Sequence, residues 1–245
     1  MRWSRGAVEV AGEFGGAPFA LSAARALITL PLGVLQQPAG VAGAVHFSPE
    51  LALKRTALEG LASGPIIKLL LRFATSFWET LHDGRYRDAG FFHVPDAPFA
   101  TFWTPAPARA PLLVAWAGGP RALRLAEGSS PAQLVRKALA SLEKLFGKEL
   151  DVTAELRGYY YHDWQQDPFA RGAYSYVTVG ASAARAELAQ PIEDTLFFAG
   201  EATDAEEGTV TGALQSGVRA AREVLAAAGV QPYPGRSEER ARPTR

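Results

Sequence analysis

Glu201 is the carboxylate of this sequence with the most deliberate surroundings. An apolar run, Thr195–Ala199, leads to Gly200 and Glu201, and after an acidic loop comes Gly208-Thr209-Val210. The run reads as a short buried strand. Gly200 lets backbone approach a ligand closely. Gly208 and Thr209 open a helix in which Val210, Ala213, Leu214, Val218, Ala221 and Leu225 recur at helical spacing. The free N–H groups and positive dipole end of such a helix face whatever the strand delivers. That end suits an anion or an electron-rich heteroaromatic ring. The same pattern also describes an ordinary strand–helix unit whose small residues pack on a sheet.

Three other places carry chemistry. Lys68 lies in the apolar run Ile66–Phe73, four residues after Gly64. A lysine there either sits at a sheet edge with its ammonium in water, or places a positive charge at a site. His162 stands beside Asp163, but no nucleophile has a motif context, so a packing or surface role fits the pair better. The segment from Trp164 through Asp167-Pro168-Phe169 to Gly172-Ala173-Tyr174-Ser175-Tyr176 combines a glycine for close backbone approach with flat aromatic faces.

The elements that must position these groups follow in order. Ala7–Val10 reads as a strand, Glu13–Gly16 as a turn, and Ala26–Leu30, stopped by Pro31, as a buried strand. Ser48-Pro49 is expected to cap a helix running through Leu61, ended by Gly64-Pro65. Ile66–Phe73 is a strand. Phe77-Trp78, Phe91–Val94 and Phe102-Trp103 read as strands or turns of an antiparallel sheet interrupted by prolines. Leu112–Ala117 is a strand, a helix begins near Arg121, and a second runs from Ser130-Pro131 to Gly147. Val152–Tyr161 alternates enough for a strand. Residues 231–245 read as a disordered tail.

The string Leu196–Ala221 resembles the C-terminal flavin-binding signature of the FAD-dependent amine oxidases, the family of monoamine oxidases, polyamine oxidases and lysine-specific histone demethylases. A strand ending in Ala-Gly-Glu, then Gly-Thr-Val-x-Gly-Ala and Ser-Gly-x-Arg-Ala-Ala, carries it. The Trp164–Tyr176 segment, Ala26–Leu35, Val114–Gly119 and the Gly64-x-x-x-Lys68 spacing extend it. The likeness implies an α/β fold: the C-terminal part of a Rossmann-like FAD domain plus an α+β substrate domain with a mixed or antiparallel sheet. Residues 1–35 and 160–230 fall to the FAD side and 36–159 to the substrate side. The implied reaction moves hydride from the carbon bearing an amine to flavin N5. The imine then hydrolyses, and O2 regenerates the flavin with release of H2O2. Lys68 would act at N5 through a water, and Tyr174 and Trp164 would line the ring and cavity. Glu201, beside Gly200, would bond a ribityl hydroxyl. The backbone at Gly208, Thr209 and Val210 would face the flavin's carbonyl edge.

Departures from the family pattern narrow this. No G-x-G-x-x-G loop for the FAD pyrophosphate occurs. The resemblance therefore covers only the C-terminal half of a full oxidase, and implies a truncated product or a separate chain supplying the N-terminal half. Ala173 stands where monoamine oxidases carry the cysteine that tethers FAD, so the cofactor is expected to be non-covalent. Thr209 replaces the second cavity tyrosine, and Thr211 a histidine of polyamine-oxidase-like members, which leaves the amine open. An L-amino-acid oxidase or desaturase-like flavoprotein, and a non-catalytic fragment or partner subunit, remain as alternatives.

Composition bounds the rest. The 245 residues carry zero formal net charge, which gives no electrostatic case for nucleic acid or a membrane surface. Four histidines and no cysteine leave little for a metal site and nothing for disulfides or thiol chemistry. No apolar run reaches the roughly 18–20 residues of a membrane span. The first residues lack the apolar core of a signal peptide, so the cytoplasm is the expected location.

Overall fold

The computed structural model describes residues 1–147, 150–205 and 208–230. The chain divides into two compact units: Met1–Ser63 together with the residues from Tyr174 onward, and Gly64–Ala173.

The first unit opens with β1 (Arg2–Ser4), β2 (Ala7–Phe14) and β3 (Ala17–Ala23), a three-stranded antiparallel sheet. The expected turn at Glu13–Gly16 is tighter than its pattern suggests. β2 continues through Phe14, and Gly15-Gly16 alone make the turn at φ +59° and +79°, a conformation that favours glycine. β3 has no buried side to impose alternation on its sequence; every residue in it is exposed. Next come β4 (Ala26–Ile28), α1 (Leu32–Leu35), α2 (Arg55–Glu59) and β5 (Leu61–Ser63).

The helix expected from Pro49 to Leu61 is a 3₁₀ turn at Ala52–Lys54 followed by the short α2. Ser48 is drawn away from capping: its N–H donates to Met1 O and its carbonyl accepts from Trp3 N, both at 2.9 Å. The Trp3 indole N–H also takes the Pro49 carbonyl at 2.8 Å. Pairing with β1 therefore outcompetes the helix start.

The second unit is built on β6 (Ile66–Phe73). After a buried 3₁₀ turn at Phe77–Glu79 and the single turn α3 (Leu81–Gly84) come β7 (Phe91–His93), β8 (Thr101–Trp103) and β9 (Leu112–Gly118). Then follow α4 (Gly119–Ala126), α5 (Pro131–Phe146), α6 (Val152–Glu155) and β10 (Leu156–Tyr161). The strands form one antiparallel sheet in the order β10-β6-β9-β8-β7. Period-two alternation sends Ile67, Leu69, Leu71 and Phe73 to the core and Lys68 and Arg72 to the open face. α5 covers the core face with Leu134, Ala138, Leu142 and Phe146. Its start is a full capping box, with Ser130 Oγ accepting from Gln133 N and Gln133 Oε1 from Ser130 N. The strand expected from Val152 begins only at Leu156, because Asp151 Oδ1 accepts from Ala154 N and turns the first four residues into a helix.

The chain then returns to the first unit with β11 (Ser175–Val177), α7 (Ala184–Ala189), β12 (Leu196–Phe198) and α8 (Val210–Ala227). β11 pairs antiparallel with β5, and β12 pairs parallel with β4. The polar tail expected at 231–245 lies outside the described residues. Among the described residues, no helix is long and apolar enough to cross a membrane.

Candidate functional site

The strand, glycine and helix start read from the sequence all exist, and they converge. β12 is fully buried between its neighbours. At its end Gly200 takes φ +125°, where a side chain would be strained, and its N–H donates to Ser216 Oγ at 2.9 Å. Glu201 follows in a 3₁₀ turn. Its carboxylate accepts from Ser175 N, with both oxygens at 3.1 Å, and from Ser175 Oγ at 2.8 Å.

Behind this pair lies Arg185 on α7, 8% exposed. Its guanidinium donates to Glu201 O at 2.7 Å and to Ser175 O at 3.0 Å. Gly208 completes the junction. A Cβ there would sit 2.7 Å from Glu201 Oε2 and 2.9 Å from the Ser175 carbonyl, so no other residue fits without movement. Thr209 then caps α8 by accepting from Gly212 N at 3.1 Å. The N–H groups of Val210 and Thr211, in the first turn, point out of the helix start, where the dipole is positive. Val210 is exposed, as are Thr209 and Tyr174, the latter just before β11.

The apolar spacing in α8 does not mark its inward face. Val210, Leu214 and Val218 are exposed, whereas Gly212, Ser216 and Ala220 are buried. The helix lies so close to β12 and the Glu201 turn that only small side chains fit beneath it. Arg219 fastens it further, donating to Phe198 O at 2.8 Å and Thr203 Oγ1 at 3.1 Å while pairing with Glu223 at 2.9 Å.

Lys54, which carries no motif in the sequence, is a buried cation in the same unit, 2% exposed. Its ammonium donates to Glu187 O at 2.7 Å and to Gln190 O, at the end of α7, and lies 4.7 Å from the centre of the Phe198 ring. It thus ties α7, which carries Arg185, to β12. Burial, and then the charge of Arg219, push its pKa down to about 8 from 10.5. Between those values the unfolded chain binds a proton that the folded one does not, so stability rises with pH through the window from about 8 to 10.5. The gain is on the order of 3 kcal/mol, and Lys54→Met should remove it. Urea denaturation of both proteins from pH 7.5 to pH 10 checks this; equal pH slopes would refute it.

The other two sequence candidates belong to the second unit. Lys68 is not on an edge strand: β6 lies between β10 and β9. Its ammonium reaches over the Trp103 ring, 5.7 Å from the centroid. Lys68, Trp116, Thr101 and His93 lie in register across the open face, with Leu70, Val114, Trp103 and Phe91 in the adjacent row. The result is a lysine set on an aromatic floor. Trp164 lies in the loop after β10, half exposed, its carbonyl accepting from Gly172 N at 2.9 Å.

Ser175 and Arg185 are the residues that sequence reasoning missed. Ser175 was visible as the centre of Tyr174-Ser175-Tyr176. Arg185, in a short helix, carried no signal at all, since its partners are two backbone carbonyls.

Comparison with known proteins gives one consistent answer. The family model for flavin-containing amine oxidoreductases matches residues 1–225. Human lysine-specific histone demethylase 2 is 35% identical over 214 residues, covering 84% of this chain and 25% of that protein. Lysine-specific histone demethylase 1 homolog 1 of Oryza sativa subsp. japonica is 38% identical over 212 residues, covering 82% and 23%. The chain thus spans about a quarter of the length of these relatives. Among solved structures, wild-type putrescine oxidase bound to putrescine superposes with a TM-score of 0.74 at 21% identity, covering 92% of this chain and 47% of that one. At that identity the likeness speaks to fold.

Proposed function

Because the chain belongs to the flavin-containing amine oxidoreductase family, we propose that it forms the flavin-ring end of an FAD-dependent amine oxidase site. The observation that carries this reading is the junction of Ser175, Glu201 and Gly208 at the open start of α8. A flavin held there supplies the two-electron acceptor for the amine.

The residues present fit one end of that group. Glu201, braced by Ser175 and Arg185, retains carboxylate lone pairs for a ribityl hydroxyl. The outward N–H groups of the first α8 turn, with the helix dipole behind them, favour negative charge on a carbonyl edge. Trp164 and Tyr174 offer flat walls. Lys68, whose ammonium lies over the Trp103 ring on the open sheet face, would by the family's pattern supply a positive charge at the flavin. The fit does not extend to the pyrophosphate, since no G-x-G-x-x-G loop is present in this sequence. An N-terminal half, continuous with this chain or supplied as a separate one, would bring that loop. On this reading, 1–35 and 160–230 serve the cofactor and 36–159 the amine. Ala173 leaves the cofactor non-covalent.

The test is reconstitution. Purified alone, the chain should retain little flavin. Co-expressed with a polypeptide encoded immediately upstream that carries G-x-G-x-x-G, it should show a stoichiometric flavin spectrum released by acid, and peroxide formation that depends on added amine. A flavin-free complex would end the proposal, and a flavin retained after acid would end the non-covalent part of it.

A further inference from the structure

His162 has Asp163 as its neighbour in sequence, yet the carboxylate that engages it is Asp167: His162 Nε2 lies 2.8 Å from Asp167 Oδ2. Asp163 is otherwise committed. Its Oδ1 accepts from Gln165 N at 3.1 Å and Gln166 N at 3.2 Å, and its charge, after burial, holds the Tyr161 phenol above the usual range. Asp167 is itself pinned, because its Oδ1 accepts from Phe169 N at 2.8 Å. That backbone bond first, and His162 second, hold its carboxyl below the usual range. An ionised carboxylate only accepts, so the proton must be on His162 Nε2.

The imidazole so oriented meets the Trp164 indole edge-on, with ring centroids 4.4 Å apart and planes at 65°. The backbone around Trp164 is fixed separately, by the bond from Gly172 N and by the Asp163 turn. What these bonds leave free is the rotation of a half-exposed indole about its own side-chain bonds. A flat wall for a ligand needs that rotation stopped before the ligand arrives.

We infer that His162 is a positioning residue for Trp164: Asp167 sets the imidazole plane, and the imidazole sets the indole plane. The functional weight of this inference rests on reading Trp164 as a wall of the flavin site. The positioning itself can be tested without any flavin.

The chain has five tryptophans, so growth on 5-fluorotryptophan gives up to five ¹⁹F resonances, and Trp164→Phe assigns one of them. His162→Gln keeps a donor for Asp167 without a ring, and His162→Phe keeps a ring without the bond. In each variant the Trp164 resonance should lose at least half of its displacement from free fluorotryptophan, while the other four stay in place. If either substitution leaves the Trp164 resonance where it was, the inference is overturned. Should one variant fail to fold, seen as movement of all five, the other still decides. FAD added to the reconstituted complex separates the two layers. A Trp164 resonance that responds to His162 but not to FAD would keep the positioning pair and reject the flavin wall.

Discussion

Arg185→Met is expected to lower the unfolding free energy by about 3 kcal/mol, from the loss of two charge-assisted hydrogen bonds at a buried site. Methionine fills much of the volume, so the deficit comes from the carbonyls: Ser175 O loses its guanidinium donor, and Glu201 O keeps only the 3.3 Å bond from Asp204 N. The denaturation midpoint in urea should fall with little change in slope. The effect should also reach the site. Without the guanidinium behind it, the Glu201 turn is held to Ser175 by the carboxylate alone, and the reconstituted complex should bind flavin more weakly than its residual stability explains. A loss of stability under about 1 kcal/mol would show that water replaces the guanidinium, and that Arg185 does not brace the site.

Lys68→Met is expected to slow reoxidation of the reduced flavin by O2 about 10²–10³-fold in the reconstituted oxidase, the usual consequence of removing one charged group aimed at developing charge. The substitution keeps the length of the side chain and its contact with Trp103 while deleting the ammonium. Stopped-flow mixing of the reduced complex with O2 measures it directly. Amine-driven reduction, recorded anaerobically, should change much less. If reoxidation is unchanged, Lys68 is simply a solvated lysine on a sheet face, and its proposed role at the flavin falls away.

The parts of this fold that were legible from sequence are those where one local signal acts without competition. Ile66–Phe73 alternates cleanly because one side meets a core and the other does not. α5 has its cap, its proline and its terminal glycine. The Gly200-Glu201 turn and the start of α8 were visible because glycine and a capping threonine have narrow uses. Reading failed where a competing hydrogen bond, distant for Ser48 and only three residues away for Asp151, outbid the side-chain pattern. Ser48 looks like a cap but is paired with β1, and Asp151 makes a helix out of residues whose pattern suits a strand. Of the candidate site, Glu201, Gly208 and the string around Ser175 were legible, while the cations behind them were not. Arg185 and Lys54 act on backbone carbonyls, and a carbonyl has no letter in the sequence.

The inverted α8 has a consequence for how this chain would tolerate change. In most amphipathic helices the large apolar positions are the ones that resist substitution. Here Leu214 and Val218 face outward and have room to become almost anything within this chain, whereas Gly212, Ser216 and Ala220 have no volume to spare. Random mutagenesis scored for folding would therefore draw a stripe of intolerance through the smallest residues of the helix. A hydrophobicity profile would single out the wrong side.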